Sequence, residues 1–231
     1  MKNTIKAITF NLVVLCSLLI SVIGKTQNNT TEPQEYPKEQ WSLKDSGALN
    51  INQRKIDKLF DLSFSDLSTQ AVVLIKDGFL VGERYAEGYD ENSQGTSWSM
   101  AKSFYAALIG ISIDRGEIDS LDSPVAKYLT YFNDERRDIT IRHLLDMTSG
   151  LEMPDHEHEN MFFAADHLEY AKGVGVEKKA GLVFEYNNVN SMLLADILQQ
   201  ATGQAADVLL RERILNKIGL TDATLWQDSV G

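Results

Sequence analysis

Residues 99–115, SMAKSFYAALIGISIDR, form a run that is apolar on nearly every face of a helix and carries a serine and a lysine in its first turn. A helix without a polar face has to be covered by the rest of the protein, so we expect a central, buried helix that Gly116 ends. Ser99 and Lys102 are three residues apart and therefore lie on one face of that helix. Because a charge beside such a run is costly unless it is paired or used, Lys102 needs an explanation.

Both strands and helices are predicted around this run. The dipeptide Asp77-Gly78 is a strong hairpin signal, which predicts strands over 71–75 and 79–85. Further helices are predicted from residue 49 and in DSPVAKYL, TIRHLLDMTSGL, NSMLLADILQQATG and AADVLLRERILNKIG. Their expected boundaries include Pro124 as a first helical residue, and Ser149, Gly203 and Gly219 as ends. This order predicts an α/β (α+β) chain with an antiparallel sheet, which needs more strands than one hairpin supplies.

The first 24 residues have the layout of a secretory signal peptide. Lys2 and Lys6 form a basic start, and a mostly apolar stretch follows. Three alternatives to a cleaved signal peptide are a retained membrane anchor, lipid attachment at Cys16, and a helix buried in the core. Residues 25–45 are polar and predict a flexible linker, so the folded domain is expected over 46–231. We therefore expect an exported protein, periplasmic or extracellular.

Charge and cysteine content exclude several kinds of function. The 231-residue chain has a formal net charge of −11, whereas a nucleic-acid-binding surface has to be basic. Cys16 is the only cysteine, so removal of the first stretch leaves no thiol for a disulfide, a zinc ligand or a nucleophile. The histidines of PDHEHENMFFAADH are better explained by a solvated loop over the mouth of a site than by a metal centre. We expect no metal and no other cofactor.

The pair Ser99 and Lys102 has a chemical interpretation and a structural one. A serine hydroxyl is a poor nucleophile until a base takes its proton, and lysine is such a base only when neutral, a state that burial favours. Backbone N–H groups at the start of the helix would help to hold an oxyanion. The structural alternative is a helix-capping serine followed by a lysine that extends to solvent, and the pair alone does not decide between the two.

A second pair of polar residues, Tyr186 and Asn188, lies in the segment AGLVFEYNNVNSMLL. At a spacing of two in an extended segment, both side chains face the same way. A tyrosine hydroxyl can pass a proton on, and an asparagine amide can orient a lysine and bind a substrate carbonyl. The alternative is a turn with a packed tyrosine and a helix-capping asparagine.

These motifs together resemble the serine β-lactamase-like superfamily, in particular the class C β-lactamase-related esterases and amidases, which include 6-aminohexanoate-dimer hydrolases. The matching segments run in the order of the family: VVLIKDGFLVGERY, SWSMAKSF, DSPVAKYL, ITIRHLLDMTSGL, FEYNNVN and LNKIGLTDATLW. The resemblance covers about residue 48 to the end of the chain. It implies a β-lactamase/transpeptidase-like fold, with an antiparallel sheet and a helical domain.

The resemblance also implies a role for individual residues. Ser99 is the expected acylated nucleophile, Lys102 and Tyr186 are the expected general-base pair, and Asn188 is expected to orient and contact substrate. Trp98, next to the nucleophile, either lines the pocket or covers the helix. Whether neutral Lys102 or a Tyr186 phenolate takes the serine proton stays open, because a charged Lys102 would lower the pKa of Tyr186.

One part of the family pattern has no counterpart here. The third motif is a Lys- or His-x-Gly on a later strand that supplies an oxyanion N–H, and no strand is predicted after residue 188. We therefore expect an N-terminal portion of a family member, without the C-terminal strands, that has lost most or all activity as it stands.

The function expected for the complete site is that of a serine hydrolase. It would cleave a small-molecule ester or amide, with small esters and short linear amides favoured over β-lactams. The alternative is a non-catalytic peptidoglycan- or peptide-binding relative, or an inactive shortened product. Membrane contact is expected only in transit, through the N-terminal signal.

Overall fold

The computed structural model describes residues 35–36, 40–153 and 157–230, with the backbone alone at 157–159. The predicted signal peptide, 1–24, and most of the predicted linker, 25–45, lie outside the described residues. Within the described ranges, no helix is both long enough and apolar enough to cross a membrane.

Helices make up most of the regular structure, and the strands of the described residues form one hairpin. The α-helices and strands are α1 (Gln53–Ser63), β1 (Ala71–Lys76), β2 (Phe79–Tyr85), α2 (Ala101–Asp114), α3 (Ile141–Leu145), α4 (Glu157–Phe162), α5 (His167–Lys172), α6 (Val189–Thr202) and α7 (Ala206–Arg213). Short 3-10 helices lie at Gly47–Leu49, Trp98–Met100, Val125–Lys127, Glu135–Asp138 and Leu215–Lys217. The predicted order of helix, hairpin and further helices is confirmed.

The hairpin forms where its turn residues predict it. β1 and β2 pair antiparallel, and Asp77 and Gly78 have φ of 53° and 83°, the left-handed values that a tight turn of this kind requires. A Cβ on Gly78 would lie 2.0 Å from the carbonyl oxygen of Glu35, so the close approach of that segment also requires glycine. On the other side of β2, the N–H of Leu80 donates to the carbonyl of Ser42 at 2.9 Å.

The two faces of the hairpin have different surroundings. α1 covers one face with Ile56 and Phe60, which are 3% and 6% exposed. Gly82 of β2 leaves room for the Phe60 ring, since a Cβ there would lie 3.3 Å from it. On the opposite face Val73 and Ile75 remain about half exposed. Among the described residues, β1 pairs with β2 alone.

The main apolar core lies among the helices, with α6 at its centre. Val189, Leu193, Ile197 and Leu198 of α6 are fully buried. The helix packs against α2, α3, α5 and α7. It ends at Gly203, which has a left-handed φ of 73° and is the residue at which the sequence predicts this end.

Helix α2 is less buried than its sequence predicts. It begins at Ala101, and its buried residues are Leu108, Ile109 and Ser112. Its exposed face carries Ser103, Ala106, Ala107 and Gly110. The expectation of a helix covered on all sides is therefore wrong for the described chain. α2 packs from one side, against α6 and α7, and the small side chains of the other face leave little apolar area in water.

Two other predicted helices are shorter than expected. Pro124 precedes the 3-10 turn Val125–Lys127 with an extended ψ of 133°, so it does not begin an α-helix. The reason is that the N–H of Val125 donates to the carbonyl of Ile139 at 2.8 Å, which draws this segment into a bridge with a neighbouring one. Helix α3 ends at Leu145 and not at Ser149, because Met147 already has a φ of 55°.

The segments around α4 and α7 also depart from prediction. The region predicted as a solvated loop contains α4, Glu157–Phe162. Helix α7 ends at Arg213, and a 3-10 turn, Leu215–Lys217, fills the distance to Gly219. Gly219 itself has the left-handed φ of 73° that suits the end of a helical segment.

Candidate active site

Ser99 lies in the 3-10 turn Trp98–Met100, directly before the first residue of α2. Its side chain is exposed, and the neighbouring Trp98 and Met100 are 71% and 62% exposed. Trp98 has a φ of 44°, a left-handed conformation that bulky residues rarely adopt. Backbone strain of this kind concentrates at functional sites, and here it belongs to the turn that presents the Ser99 hydroxyl at a helix N-terminus.

Lys102 contacts Ser99 as the spacing of three residues predicts. Its Nζ donates to Ser99 Oγ at 3.1 Å. The side chain is only half-buried, because the first turn of α2 is open to solvent. Desolvation of Lys102 by the surrounding helix stays a prediction. Its ammonium lies 4.9 Å from the centre of the Tyr186 ring, where the face of the ring attracts a positive charge.

Tyr186 reaches the same serine from a segment 87 residues further along the chain, just before α6. Its hydroxyl donates to Ser99 Oγ at 2.6 Å. The residue is 40% exposed. The structure therefore brings the three predicted catalytic residues, Ser99, Lys102 and Tyr186, to one point.

The surroundings of Tyr186 change the acidity of its hydroxyl. Partial burial raises the pKa, but the hydrogen bonds to Lys102 and Ser99 and the positive charge of Lys102 lower it by more. The net result is a pKa below the usual value of 10.0. A tyrosine with a lowered pKa loses its proton more readily and can then accept one from a neighbouring hydroxyl.

The two predicted substrate-binding residues lie beside this group. Asn188 is half-buried at the N-terminus of α6 and makes no capping hydrogen bond there. The capping bond comes from the preceding residue, since the N–H of Val189 donates to Asn187 Oδ1 at 2.9 Å. Trp98 is too exposed to cover α2. Contact of Asn188 and Trp98 with substrate stays a prediction.

His143 takes part in the capping of α3. Its imidazole Nδ1 accepts from the backbone N–H of Thr140 at 3.2 Å, and the backbone N–H of His143 donates to Thr140 Oγ1 at 3.3 Å. These reciprocal bonds cap α3.

The other histidines give no metal centre within the described residues. His167 forms a hydrogen bond with the carbonyl of Phe162, while His156 and the side chain of His158 lie outside the description. No group of three or more His, Cys, Asp or Glu side chains in the described ranges is placed to hold a metal ion. Phe162, the last residue of α4, and the following Phe163 are exposed.

Sequence reasoning missed a set of buried polar side chains behind Tyr186. Ser149, Asn187 and Asn190 are 3%, 2% and 0% exposed. The available signal was the tetrapeptide NNVN, which places three asparagines at the start of an apolar helix where some of them must be buried.

Comparison with known proteins identifies a family for this chain. A sequence model described as Beta-lactamase matches residues 63–231. The D-aminopeptidase of Brucella anthropi is 30% identical over 176 residues, which are 69% of this chain and 33% of that protein. The chain spans about a third to a half of the length of the curated relatives it matches.

Solved structures share the fold over much of the chain. A Bacillus anthracis protein provisionally assigned as a 6-aminohexanoate-dimer hydrolase superposes with a TM-score of 0.61 at 22% identity, covering 81% of this chain and 54% of that one. The octameric penicillin-binding protein homologue of Pyrococcus abyssi gives 0.60 at 21%, with 78% and 46% covered. These likenesses confirm the β-lactamase/transpeptidase-like fold. Since the family's sequence model matches well over half of its residues, the chain belongs to the beta-lactamase family.

Proposed function

We propose that this chain carries the nucleophile and the base of a serine hydrolase that acts on an ester or an amide through an acyl-enzyme at Ser99. The observation that carries the proposal is the convergence of two groups on one oxygen. The Tyr186 hydroxyl and the Lys102 ammonium lie 2.6 and 3.1 Å from Ser99 Oγ. A serine hydroxyl becomes a useful nucleophile only when a neighbouring group takes its proton, and this geometry supplies that neighbour.

In the proposed mechanism Tyr186 is the base and Lys102 remains an ammonium. The Tyr186 phenolate takes the proton of Ser99 as Oγ attacks the substrate carbonyl, and Lys102 stabilises the phenolate before the transfer. Tyr186 then gives the proton to the leaving alkoxide or amine, and an acyl group remains on Ser99. Tyr186, again a phenolate, then takes a proton from a water molecule, which attacks the acyl-enzyme. As the bond between the acyl carbon and Ser99 Oγ breaks, Tyr186 returns this proton to Oγ, and the acid is released. The N-terminal end of α2 stabilises the negatively charged oxygen of the tetrahedral intermediate, both in acylation and in deacylation.

The substrate we propose is a small ester or a short linear amide. The D-aminopeptidase and the 6-aminohexanoate-dimer hydrolase among the similar proteins carry names that denote cleavage of amide bonds. The site is open, with Trp98 and Met100 exposed beside the nucleophile, which favours an extended substrate laid across the surface. In this arrangement Trp98 contacts the acyl group and Asn188 binds a substrate carbonyl.

We also propose that the protein is exported through its first 24 residues, to the periplasm or the outside of the cell, and needs no cofactor. The basic and apolar layout of that stretch supports the proposal. Its partner is then a small molecule that reaches the cell surface, and no nucleic acid is involved because the net charge is −11.

A fluorophosphonate probe tests the acyl-enzyme directly, because it forms a covalent bond only with an activated serine. We expect the purified chain to be labelled and Ser99→Ala to lose the label. Ser103→Ala is the matched control: it removes an exposed serine one turn further along the same helix and should leave labelling unchanged. Mass spectrometry of the labelled peptide identifies the modified residue.

Two results would count against the proposal. Labelling that persists in Ser99→Ala would place the reactive group elsewhere. A folded chain that is never labelled would favour the non-catalytic binding alternative. Turnover is a separate measurement: hydrolysis of a p-nitrophenyl ester by residues 1–231, abolished by Ser99→Ala, would contradict the expectation that this chain alone is largely inactive.

A further inference from the structure

Tyr186 lies in a segment that has no regular structure of its own. Residues 183–187 are neither helix nor strand, yet the tyrosine hydroxyl has to stay within hydrogen-bond distance of Ser99. The hydroxyl is at the far end of a long side chain, so a small rotation of the backbone moves it by a large distance. Hydrogen bonds outside helices and β-sheets therefore have to hold this backbone in place.

The residue after the tyrosine makes the strongest of these contacts. Asn187 is 2% exposed, and its Nδ2 donates to the carbonyl of Glu152 at 3.1 Å, with the carbonyl of Leu151 at 3.5 Å. Its Oδ1 accepts from the N–H of Val189 at 2.9 Å. One side chain thus caps the first turn of α6 and ties the tyrosine segment to the backbone of residues 151–152.

Neighbouring contacts hold the same two segments together. The N–H of Glu185 donates to the carbonyl of Met147 at 2.8 Å. Asn190, fully buried, accepts from Ser149 Oγ at 2.7 Å and donates to Met147 Sδ at 3.3 Å. Residues on both sides of Tyr186 are therefore bound to the loop 147–152, and the asparagine at 187 lies directly next to the tyrosine.

A packing role alone does not explain the choice of asparagine at 187. A buried amide is stable only when its donors and acceptor are satisfied, and an apolar residue of similar size would avoid that requirement. Hydrogen bonds are directional, whereas apolar contacts are not. The amide of Asn187 forms them at both its nitrogen and its oxygen, and they fix the orientation of the backbone after Tyr186.

We infer that Asn187, the central residue of the Tyr-x-Asn motif, is a positioning residue that holds the Tyr186 hydroxyl against Ser99 by tying its backbone to residues 151–152. The inference rests on the proposed function for its catalytic consequence and on the contacts above for its structural one. Loss of the tie lets the tyrosine hydroxyl move away from both Ser99 and Lys102.

Two substitutions distinguish the hydrogen bond from Asn187 to the carbonyl of Glu152 from the capping bond that Asn187 accepts from Val189. Asn187→Ser keeps an oxygen that can accept from the N–H of Val189 but is too short to reach Glu152, and Asn187→Ala removes both contacts. Asn52→Ala is the matched control, because Asn52 accepts from the N–H of Arg54 at 2.9 Å and caps α1 in the same way on the hairpin side of the fold. Urea unfolding of each variant shows that it is folded.

The first readout is the rate at which the fluorophosphonate probe labels Ser99. For Asn187→Ser we expect the maximal labelling rate to fall by about 100-fold, the loss typical of a misplaced catalytic group, while the probe concentration for half-maximal rate stays the same. Asn52→Ala should label at the rate of the original chain. A residue that served stability alone would not change the maximal rate of the folded protein.

The second readout does not depend on activity. Tyrosine labelled with 13C at Cζ gives a signal that shifts when the phenol ionises, and Tyr186→Phe identifies the signal of Tyr186 among the eight tyrosines. Since Lys102 lowers the pKa of Tyr186 through close contact, we expect that pKa to rise in Asn187→Ser and to stay unchanged in Asn52→Ala.

The outcomes distinguish the inference from the proposed function. A folded Asn187→Ser with the original labelling rate and the original titration of Tyr186 would overturn the inference. If the original chain shows no label that depends on Ser99, the proposed function fails, while the titration still decides whether Asn187 places Tyr186.

Discussion

Lys102 and Tyr186 both contact Ser99 Oγ, at 3.1 and 2.6 Å, and the two also lie close to each other. A positive charge this close stabilises the phenolate more than the phenol. The pKa of Tyr186 therefore falls, although burial alone would raise it. This balance is why the proposed mechanism gives the proton of Ser99 to the tyrosine and keeps the lysine charged.

A lysine substitution tests this balance. Lys102→Met keeps the length of the side chain and removes its charge, so the pKa of Tyr186 should rise. In the proposed mechanism the active form is the deprotonated tyrosine, so labelling of Ser99 should increase as the pH rises through that pKa. We expect the profile of Lys102→Met to move to higher pH, with a rate at neutral pH lower by about tenfold for each unit of displacement.

The measurement is the rate of fluorophosphonate labelling at a series of pH values. Lys58→Met, an exposed lysine of α1, is the control and should leave the profile in place. A profile that keeps its midpoint in Lys102→Met, with a uniformly lower rate, would show that Lys102 does not act through the acidity of Tyr186.

At the scale of elements, an ion pair ties the far end of α2 to α7. Arg213, the last residue of α7, donates to the two carboxylate oxygens of Glu117 at 2.6 and 2.9 Å, and to the buried Ser112 Oγ at 3.1 Å. Hydrogen bonds from Arg213 lower the pKa of Glu117 from 4.5 to about 2, although burial acts in the opposite direction. Since Ser99 lies at the other end of α2, this pair helps to fix the helix that carries the proposed nucleophile.

We expect Glu117→Gln to lower the free energy of unfolding at pH 7 by about 2 kcal/mol, the usual size of a hydrogen-bonded contact to a charged group. The folded protein holds the carboxyl pKa below its unfolded value, so the stabilisation is complete above pH 4.5 and is lost as the pH falls towards about 2. The difference between the original chain and Glu117→Gln should therefore shrink over that range.

Urea unfolding at several pH values measures this difference. Glu135→Gln, an exposed glutamate in the 3-10 turn Glu135–Asp138, is the control and should change the stability by less than about 0.5 kcal/mol. A loss in Glu117→Gln that is the same at pH 7 and at pH 3 would contradict the assignment of the stabilisation to the charged form of Glu117.

For the molecule as a whole, one exposed apolar surface among the described residues is the face of the hairpin that α1 does not cover. Val73 and Ile75 are about half exposed there, and among the described residues β1 has β2 as its single strand neighbour. An exposed apolar strand with a free edge is a site at which chains associate. The isolated chain is therefore expected to self-associate as its concentration rises.

Val73→Lys should reduce that association several-fold. Val73 pairs with Glu83 across the hairpin, so a lysine there gains an opposite charge on the same face and keeps the fold stable. Light scattering over a range of concentrations measures the effect. Leu67→Lys adds the same charge at a fully exposed position away from the strands and should leave association unchanged. Equal effects of both substitutions would show that net charge, and not the strand, controls association.

Sequence reasoning worked best where structure depends on close neighbours in the chain. Asp77 and Gly78 set the hairpin, Gly203 ends α6, and Ser99 and Lys102 meet across one helical turn. It failed for α2, whose composition predicts a helix covered on all sides, because the cover of a helix depends on which distant segments pack against it. It also failed at Pro124, where a bridge to residue 140 outweighs a local helix signal.

The amino-acid sequence alone determined most of the elements and the chemical types of the proposed catalytic residues, because turn, cap and helix-face preferences act over a few residues. The tertiary structure decided which residues meet. It placed Tyr186 against Ser99 across 87 positions, left Lys102 half-buried, and buried Asn187 against the backbone of Glu152. Contacts of this kind depend on how whole helices pack around α6, and that packing is a property of the entire folded chain.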